Sequence, residues 1–114
     1  MANHDVYLKL DGNVLKWSPD GSSNWTPVTS NEPSTGVNLN DTVSWHGDDT
    51  ISKIKIKPPQ SKILKSVSND DSKSPQGNVD DSIDSPVTEK YVISIKSAKG
   101  NGYTDYDPDL RYPA

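Results

Sequence analysis

Asp41-Thr42-Val43-Ser44-Trp45-His46-Gly47-Asp48-Asp49-Thr50-Ile51-Ser52-Lys53-Ile54-Lys55-Ile56-Lys57 reads as a strand, a turn and a second strand. In the first strand Val43 and Trp45 share one face, and Thr42, Ser44 and His46 share the other, because side chains alternate along an extended chain. Gly47-Asp48-Asp49 turns the chain. Lys53 to Lys57 then alternates strictly, isoleucines inward and lysines outward, which describes a strand with one dry and one wet face. The same lysines discourage pairing with a foreign strand.

The two-residue period continues on both sides of this stretch, and no segment carries a helical stripe. Val6, Leu8 and Leu10 alternate with Tyr7 and Lys9. Asp11-Gly12-Asn13 signals a tight turn into Val14-Leu15-Lys16-Trp17. Pro58-Pro59 stops the lysine strand, and Ile63-Leu64 with Val67 suggests a short successor. Tyr91-Val92-Ile93-Ser94-Ile95-Lys96 is a second strong strand, with Tyr91, Ile93 and Ile95 on one face. Lys99-Gly100-Asn101-Gly102 is a hairpin turn, and Tyr103 to Tyr112 is the closing strand, interrupted at Asp107-Pro108.

Two polar stretches remain. Residues 18–36 read as a loop carrying one short extended piece around Trp25-Thr26-Pro27-Val28, with Pro27 and Pro33 tolerable only at a sheet edge. Residues 68–86 read as a long polar loop, an unusual length for a compact domain. The expectation is a single all-β domain over 1–114: a two-sheet, antiparallel or mixed sandwich of about seven or eight strands.

Composition limits what such a domain can do. Only 30% of the 114 residues are hydrophobic and Phe is absent, so Trp17, Trp25, Trp45 and the tyrosines supply the aromatic volume. Twelve basic against sixteen acidic residues give a net charge of −4, which argues against binding nucleic acid. No apolar run reaches the roughly 18 residues of a membrane span. There is no cysteine, hence no disulfide and no thiol chemistry. The N-terminus has no charged segment followed by an apolar one. A cytoplasmic protein is expected, with signal-independent export or a secreted chain separated from its leader as alternatives. The sequons at Asn24 and Asn40 read as chance matches.

Three pieces together resemble a bacterial, copper-free β-sandwich of cupredoxin-like outline. Leu39-Asn40-Asp41-Thr42-Val43-Ser44-Trp45-His46 is similar to that family's Gly-Asp-Thr-Val-Thr-Trp strand, in which the tryptophan packs in the core and a histidine can follow. Tyr91 to Ile95, with the Gly-rich turn after it, looks like its penultimate strand. Tyr106-Asp107-Pro108-Asp109-Leu110-Arg111-Tyr112 resembles the ending of copper-free members. The resemblance covers about half the chain and implies a cupredoxin-like Greek key. Of the family's metal ligands only His46 stands at a matching position. A blue-copper site needs a thiolate beside imidazoles; with no cysteine, and Met1 the sole methionine, that chemistry is excluded.

Several residues could still hold a ligand. His46 with His4 and Asp48 or Asp49 could begin a metal site, but such sites want three or four convergent ligands, and a polar strand end explains the same histidine. Asp70, Asp71, Asp80, Asp81 and Asp84 crowd one stretch and offer hard oxygen donors for Ca²⁺; a solvated loop explains them equally. Asp105, Asp107 and Asp109 alternate, although Pro108 favours a turn begun by Asp107. Trp25 and Tyr103, with the acidic residues Asp80, Asp81 and Asp84, could stack and hydrogen-bond a sugar. Trp17, Tyr106 and Tyr112 could join such a platform, while Trp45 reads as core. No nucleophile elbow and no phosphate loop appears.

The leading expectation is therefore a non-enzymatic structural or protein-interaction module without a cofactor. It would work through its two polar loops or through self-association at a sheet edge. The alternative is a lectin-like module that binds carbohydrate or Ca²⁺ through Trp25 and the acidic 68–86 stretch.

Overall fold

The computed structural model describes residues 2–29, 32–58, 60–100 and 102–114. Asn101 of the expected hairpin turn, Pro59 of the expected strand stop, Met1, and residues 30 and 31 of the expected loop lie outside the described residues. Twelve strands follow one another, with no helix among the described residues. They are β1 (Asn3–Asp11), β2 (Val14–Ser18), β3 (Thr26–Pro27), β4 (Ser34–Gly36), β5 (Thr42–Gly47) and β6 (Ile51–Lys57), then β7 (Leu64–Ser68), β8 (Gln76–Val79), β9 (Val87–Lys90), β10 (Val92–Ser97), β11 (Tyr103–Tyr106) and β12 (Asp109–Tyr112).

The strands form three sheets. The largest has six strands in the order β3-β2-β1-β5-β8-β7, and the other two have three each, β11-β10-β6 and β4-β12-β9. β1 runs parallel to β5 and β12 parallel to β4, and the remaining pairs are antiparallel. The fold is all-β and sandwich-like, as expected. Its details correct the sequence reading: twelve strands rather than seven or eight, and three sheets rather than two. Neither long loop is structureless. Residues 18–36 contain β3 and β4, and residues 68–86 contain β8. The closing stretch breaks at Asp107-Pro108, where β11 ends in one sheet and β12 begins in another.

The alternation read from sequence builds the interior. Val6 and Leu8 of β1, Val43 and Trp45 of β5, Ile54 and Ile56 of β6 and Ile93 and Ile95 of β10 are all buried. Leu15, Val28, Val37, Ile51, Ile63, Leu64, Val79, Tyr91 and Leu110 join them in one hydrophobic cluster that draws on all three sheets. Gly12, at φ +64°, closes the β1–β2 hairpin in a backbone region that glycine enters without penalty. Pro27 lies on the edge strand β3, where its missing N–H breaks no ladder. Three surfaces bear on function: the outer face of the six-stranded sheet, the outer face of β11-β10-β6, and the free edge of β11.

Candidate functional site

The outer face of the six-stranded sheet carries Asn3, Asp5, Tyr7 and Lys9 from β1 beside Thr42, Ser44 and His46 from β5, paired in register. Asn3 Oδ1 accepts hydrogen bonds from the hydroxyls of Thr42 and Ser44, both at 2.8 Å. Asp5 Oδ1 accepts from Asn3 Nδ2 at 2.8 Å and lies 2.9 Å from His46 Nε2. The His46 ring stacks on Tyr7, with centroids 4.6 Å apart and planes 20° off parallel. His46 is thus held by a carboxylate and a phenol ring.

A turn after β2 folds back over this face. The buried Ser18 hydroxyl accepts from the amides of Asp20 and Gly21, and Asp20 Oδ1 accepts from the amides of Ser22 and Ser23. Those amides and Ser18 hold the Asp20 carboxyl far below the usual carboxylate range. The turn lays Gly21 against Tyr7: a Cβ there would stand 2.9 Å from Tyr7 Cδ1, and φ is +77°. It also delivers Trp25, which Lys9 Nζ covers at 4.3 Å from the ring centroid. Tyr7, Trp25, His46 and Asp48 line a shallow cleft of about 200 Å³. Trp25 is half-buried rather than a free platform.

The expected partners of His46 do not converge on it. His4 Nε2 lies 2.8 Å from Asp41 Oδ2, on the other face of β1, so each histidine has its own carboxylate. Asp48 Oδ1 accepts from the Thr50 amide and hydroxyl. Among the described residues no three His, Asp or Glu side chains gather as a metal centre would require.

The acidic residues separate as well. Asp70 Oδ1 accepts from the Ile56 amide at 2.8 Å. Asp71 Oδ1 accepts from the Tyr103 hydroxyl at 2.6 Å, and Lys53 Nζ lies 4.0 Å from its other oxygen. Both precede β8, whereas Asp80, Asp81 and Asp84 follow it. β8 holds the two groups apart by its length, roughly 10 Å at 3.3 Å per residue. Asp80 is turned onto the amide and hydroxyl of Ser82, and Asp81 and Asp84 are exposed. Asp70 and Asp71 therefore do not share a Ca²⁺ shell with Asp80 and Asp81. Nor do Trp25 and Tyr103 meet, since they stand on the outer faces of different sheets. Tyr103 and Asp71 do meet, with Lys55 Nζ 5.1 Å from the Tyr103 ring centroid. The sequence places Lys55 on the wet face of its strand, but does not disclose the register that brings Tyr103 and Asp71 to that face.

The third surface is an open seam. A cleft of about 320 Å³ runs between the tip of the β1–β2 hairpin and β11, with Leu10, Ile95, Thr104 and Tyr106 in its lining. An adjoining cleft of about 250 Å³ shares Leu10, Gly12 and Ser97 and extends to Asp49 and Lys99. β11 pairs with β10 on one side only and is the last strand of its sheet.

Comparison with known proteins finds no family model that matches the chain and no curated protein that matches it significantly. Among the described residues no helix is long and apolar enough to cross a membrane.

Proposed function

We propose that this chain is a non-enzymatic protein-interaction module that takes an extended partner segment along the free edge of β11. The observation that carries this reading is the pairing of an open edge strand with an adjoining, partly apolar cleft. An edge strand presents a row of unsatisfied N–H and C=O groups, and an added strand satisfies them while alternate side chains fill neighbouring pockets.

The other edges are guarded. β3 holds Pro27, β7 holds Lys65 and β9 holds Lys90, while β4 is only three residues long. The far side of β6 is bonded through Ile54 to Ser72 and through the Ile56 amide to Asp70. β11, Tyr-Thr-Asp-Tyr, has neither lysine nor proline. The cupredoxin-like Greek key belongs to the same proposal, supported by Trp45, which is fully buried where that resemblance puts a core tryptophan. A second reading, a glycan held against Trp25, is supported by the cleft that Trp25 shares with His46 and Asp48.

Peptides selected from a random library on the folded protein test both readings. Binding is expected to slow amide exchange at residues 103–106, and Thr104→Lys is expected to weaken it at least about tenfold by setting a charge on the edge. Trp25→Ala is expected to leave it unchanged. Peptides indifferent to Thr104→Lys would overturn the edge reading. Glycan-array binding lost in Trp25→Ala would put the second in its place.

A further inference from the structure

The outer face of β11-β10-β6 is basic in a chain whose net charge is −4. Lys53, Lys55 and Lys57 project from β6 on the side opposite the buried Ile54 and Ile56. The register sets Lys96 of β10 directly opposite Lys53, with Tyr103 of β11 on its other flank. Like charges facing one another across a sheet destabilise it, so folding alone gives no reason for that pair.

Few carboxylates answer these lysines. Asp105 is engaged by the Ser94 hydroxyl, and Asp70 by the Ile56 amide. Among the described residues neither Lys57 nor Lys96 has an ion-pair partner within 4.0 Å. One carboxylate, Asp71, reaches over the face and takes the Tyr103 hydroxyl at 2.6 Å, with Lys53 Nζ at 4.0 Å. The Tyr103 hydrogen bond holds its carboxyl below the usual range, against a smaller opposing effect of burial, and the charges of Lys53, Lys55 and Lys96 act in the same direction. The Tyr103 hydroxyl and those three ammonium groups thus already act on one carboxylate.

We propose that this face is a docking surface for an extended, acidic polypeptide segment, whose carboxylates settle among Lys53, Lys55, Lys96 and the Tyr103 hydroxyl in the place that Asp71 now holds. Charge complementarity selects an acidic partner. Geometry selects an extended one: lysines two residues apart on β6 are spaced about 6.7 Å, the same interval as alternate side chains of another extended chain. Lys57 continues the row past the resident carboxylate. Asp71 is then an internal competitor, and the surface is separate from the β11 edge.

Fluorescence anisotropy with labelled poly-L-glutamate at about 20 mM salt provides the test, because exposed charge pairs weaken as salt screens them. The wild-type protein is expected to bind, and added salt to release the probe. Asp71→Asn, which keeps a partner for Tyr103 but removes the charge, is expected to tighten binding about threefold. Lys53→Ala with Lys96→Ala is expected to weaken it about tenfold, with an unchanged far-ultraviolet spectrum to show that the sheet still forms. Thr104→Lys, which blocks only the β11 edge, is expected to leave poly-L-glutamate binding intact. Three results would overturn the proposal: no binding by wild type or Asp71→Asn, binding indifferent to the lysine pair, or tighter binding of heparin or duplex DNA than of poly-L-glutamate.

Discussion

Asp41 shows how much one side chain can hold in place. Its carboxylate is buried and accepts from the amides of Ala2 and Asn38, both at 2.9 Å, and bonds the His4 ring at 2.8 Å. Burial alone would raise its pKa; the bonds from His4, Asn38 and Ala2 together outweigh burial and hold the carboxyl below its ordinary 3.8. A carboxyl lowered in the folded state stabilises the fold above the unfolded value, and that contribution fades as pH falls through the folded one. Asp41→Asn turns an NH₂ toward one set of donors or leaves the other unmet, so it should cost about 1–3 kcal/mol at pH 7. Denaturant melts at several pH values check this: the gap between variant and wild type should narrow as pH drops below 3.8. A gap constant down to pH 2 would deny the carboxylate its role. The sequence places Asp41 at the head of the stretch that becomes β5. It could not disclose His4 as the partner, because local pattern carries no information on a contact made 37 residues away.

β8 is one of the strands that periodicity did not disclose, and Gly77 explains why. On β8 it faces the interior between Leu64 and Trp45, and a Cβ there would stand 3.0 Å from Leu64 Cδ2 and 3.0 Å from Trp45 Cη2. The indole fills the volume that a β8 side chain would otherwise occupy, so the strand shows a glycine where the alternating pattern needs an apolar residue. β6 and β10 are the opposite case: their own isoleucines fill the core, and the alternation survives in Lys53 to Lys57 and in Ile93 to Ile95. β4 went unread for a related reason. At Gly36 a Cβ would stand 2.8 Å from the Arg111 guanidinium, so a neighbour's side chain again replaces the strand's own. The convergence of Lys55, Tyr103 and Asp71 was illegible too, because it depends on the register of three strands and a turn. Gly77→Ala is expected to destabilise the protein. Lower chain entropy in the unfolded state would favour alanine by about 0.4–1 kcal/mol, but crowding two fully packed side chains costs about 1–3 kcal/mol. A chemical-denaturation midpoint at or above that of wild type would mean that Trp45 and Leu64 can move aside.

The three sheets of the molecule meet at Tyr91. Its hydroxyl accepts from Trp45 Nε1 at 3.1 Å, and the two rings lie 5.7 Å apart, which joins the six-stranded sheet to the base of β10. Its amide donates to the Pro108 carbonyl at 3.1 Å, which brings in the start of β12. Glu89 makes a second seam, accepting from the Ser61 hydroxyl and the Ile63 amide so that β9 is tied to the approach of β7. Trp45 and Tyr91 were both legible as strand residues; that they bond to each other across 46 residues was not. Burial pushes the Tyr91 hydroxyl well above its ordinary pKa of 10.0, opposed in part by the bond from Trp45. The folded state therefore keeps this proton after the unfolded chain would lose it. Stability from Tyr91 is fully present below pH 10 and drains away as pH climbs toward the folded value. Tyr91→Phe keeps the ring, leaves Trp45 Nε1 buried without an acceptor and removes the titrating group. Two effects should follow in opposite regimes. At pH 7 the variant should lose about 1–3 kcal/mol, the cost of an orphaned buried donor. Between pH 10 and 11.5 its stability should fall less steeply than that of the wild type, although the raised hydroxyls of Tyr103 and Tyr106 leave some slope in both. Urea melts across that interval separate the two effects. Parallel curves would show that the Tyr91 proton does not govern alkaline unfolding, and an unchanged midpoint at pH 7 would show that the bond between Trp45 and Tyr91 does not secure the junction of the sheets.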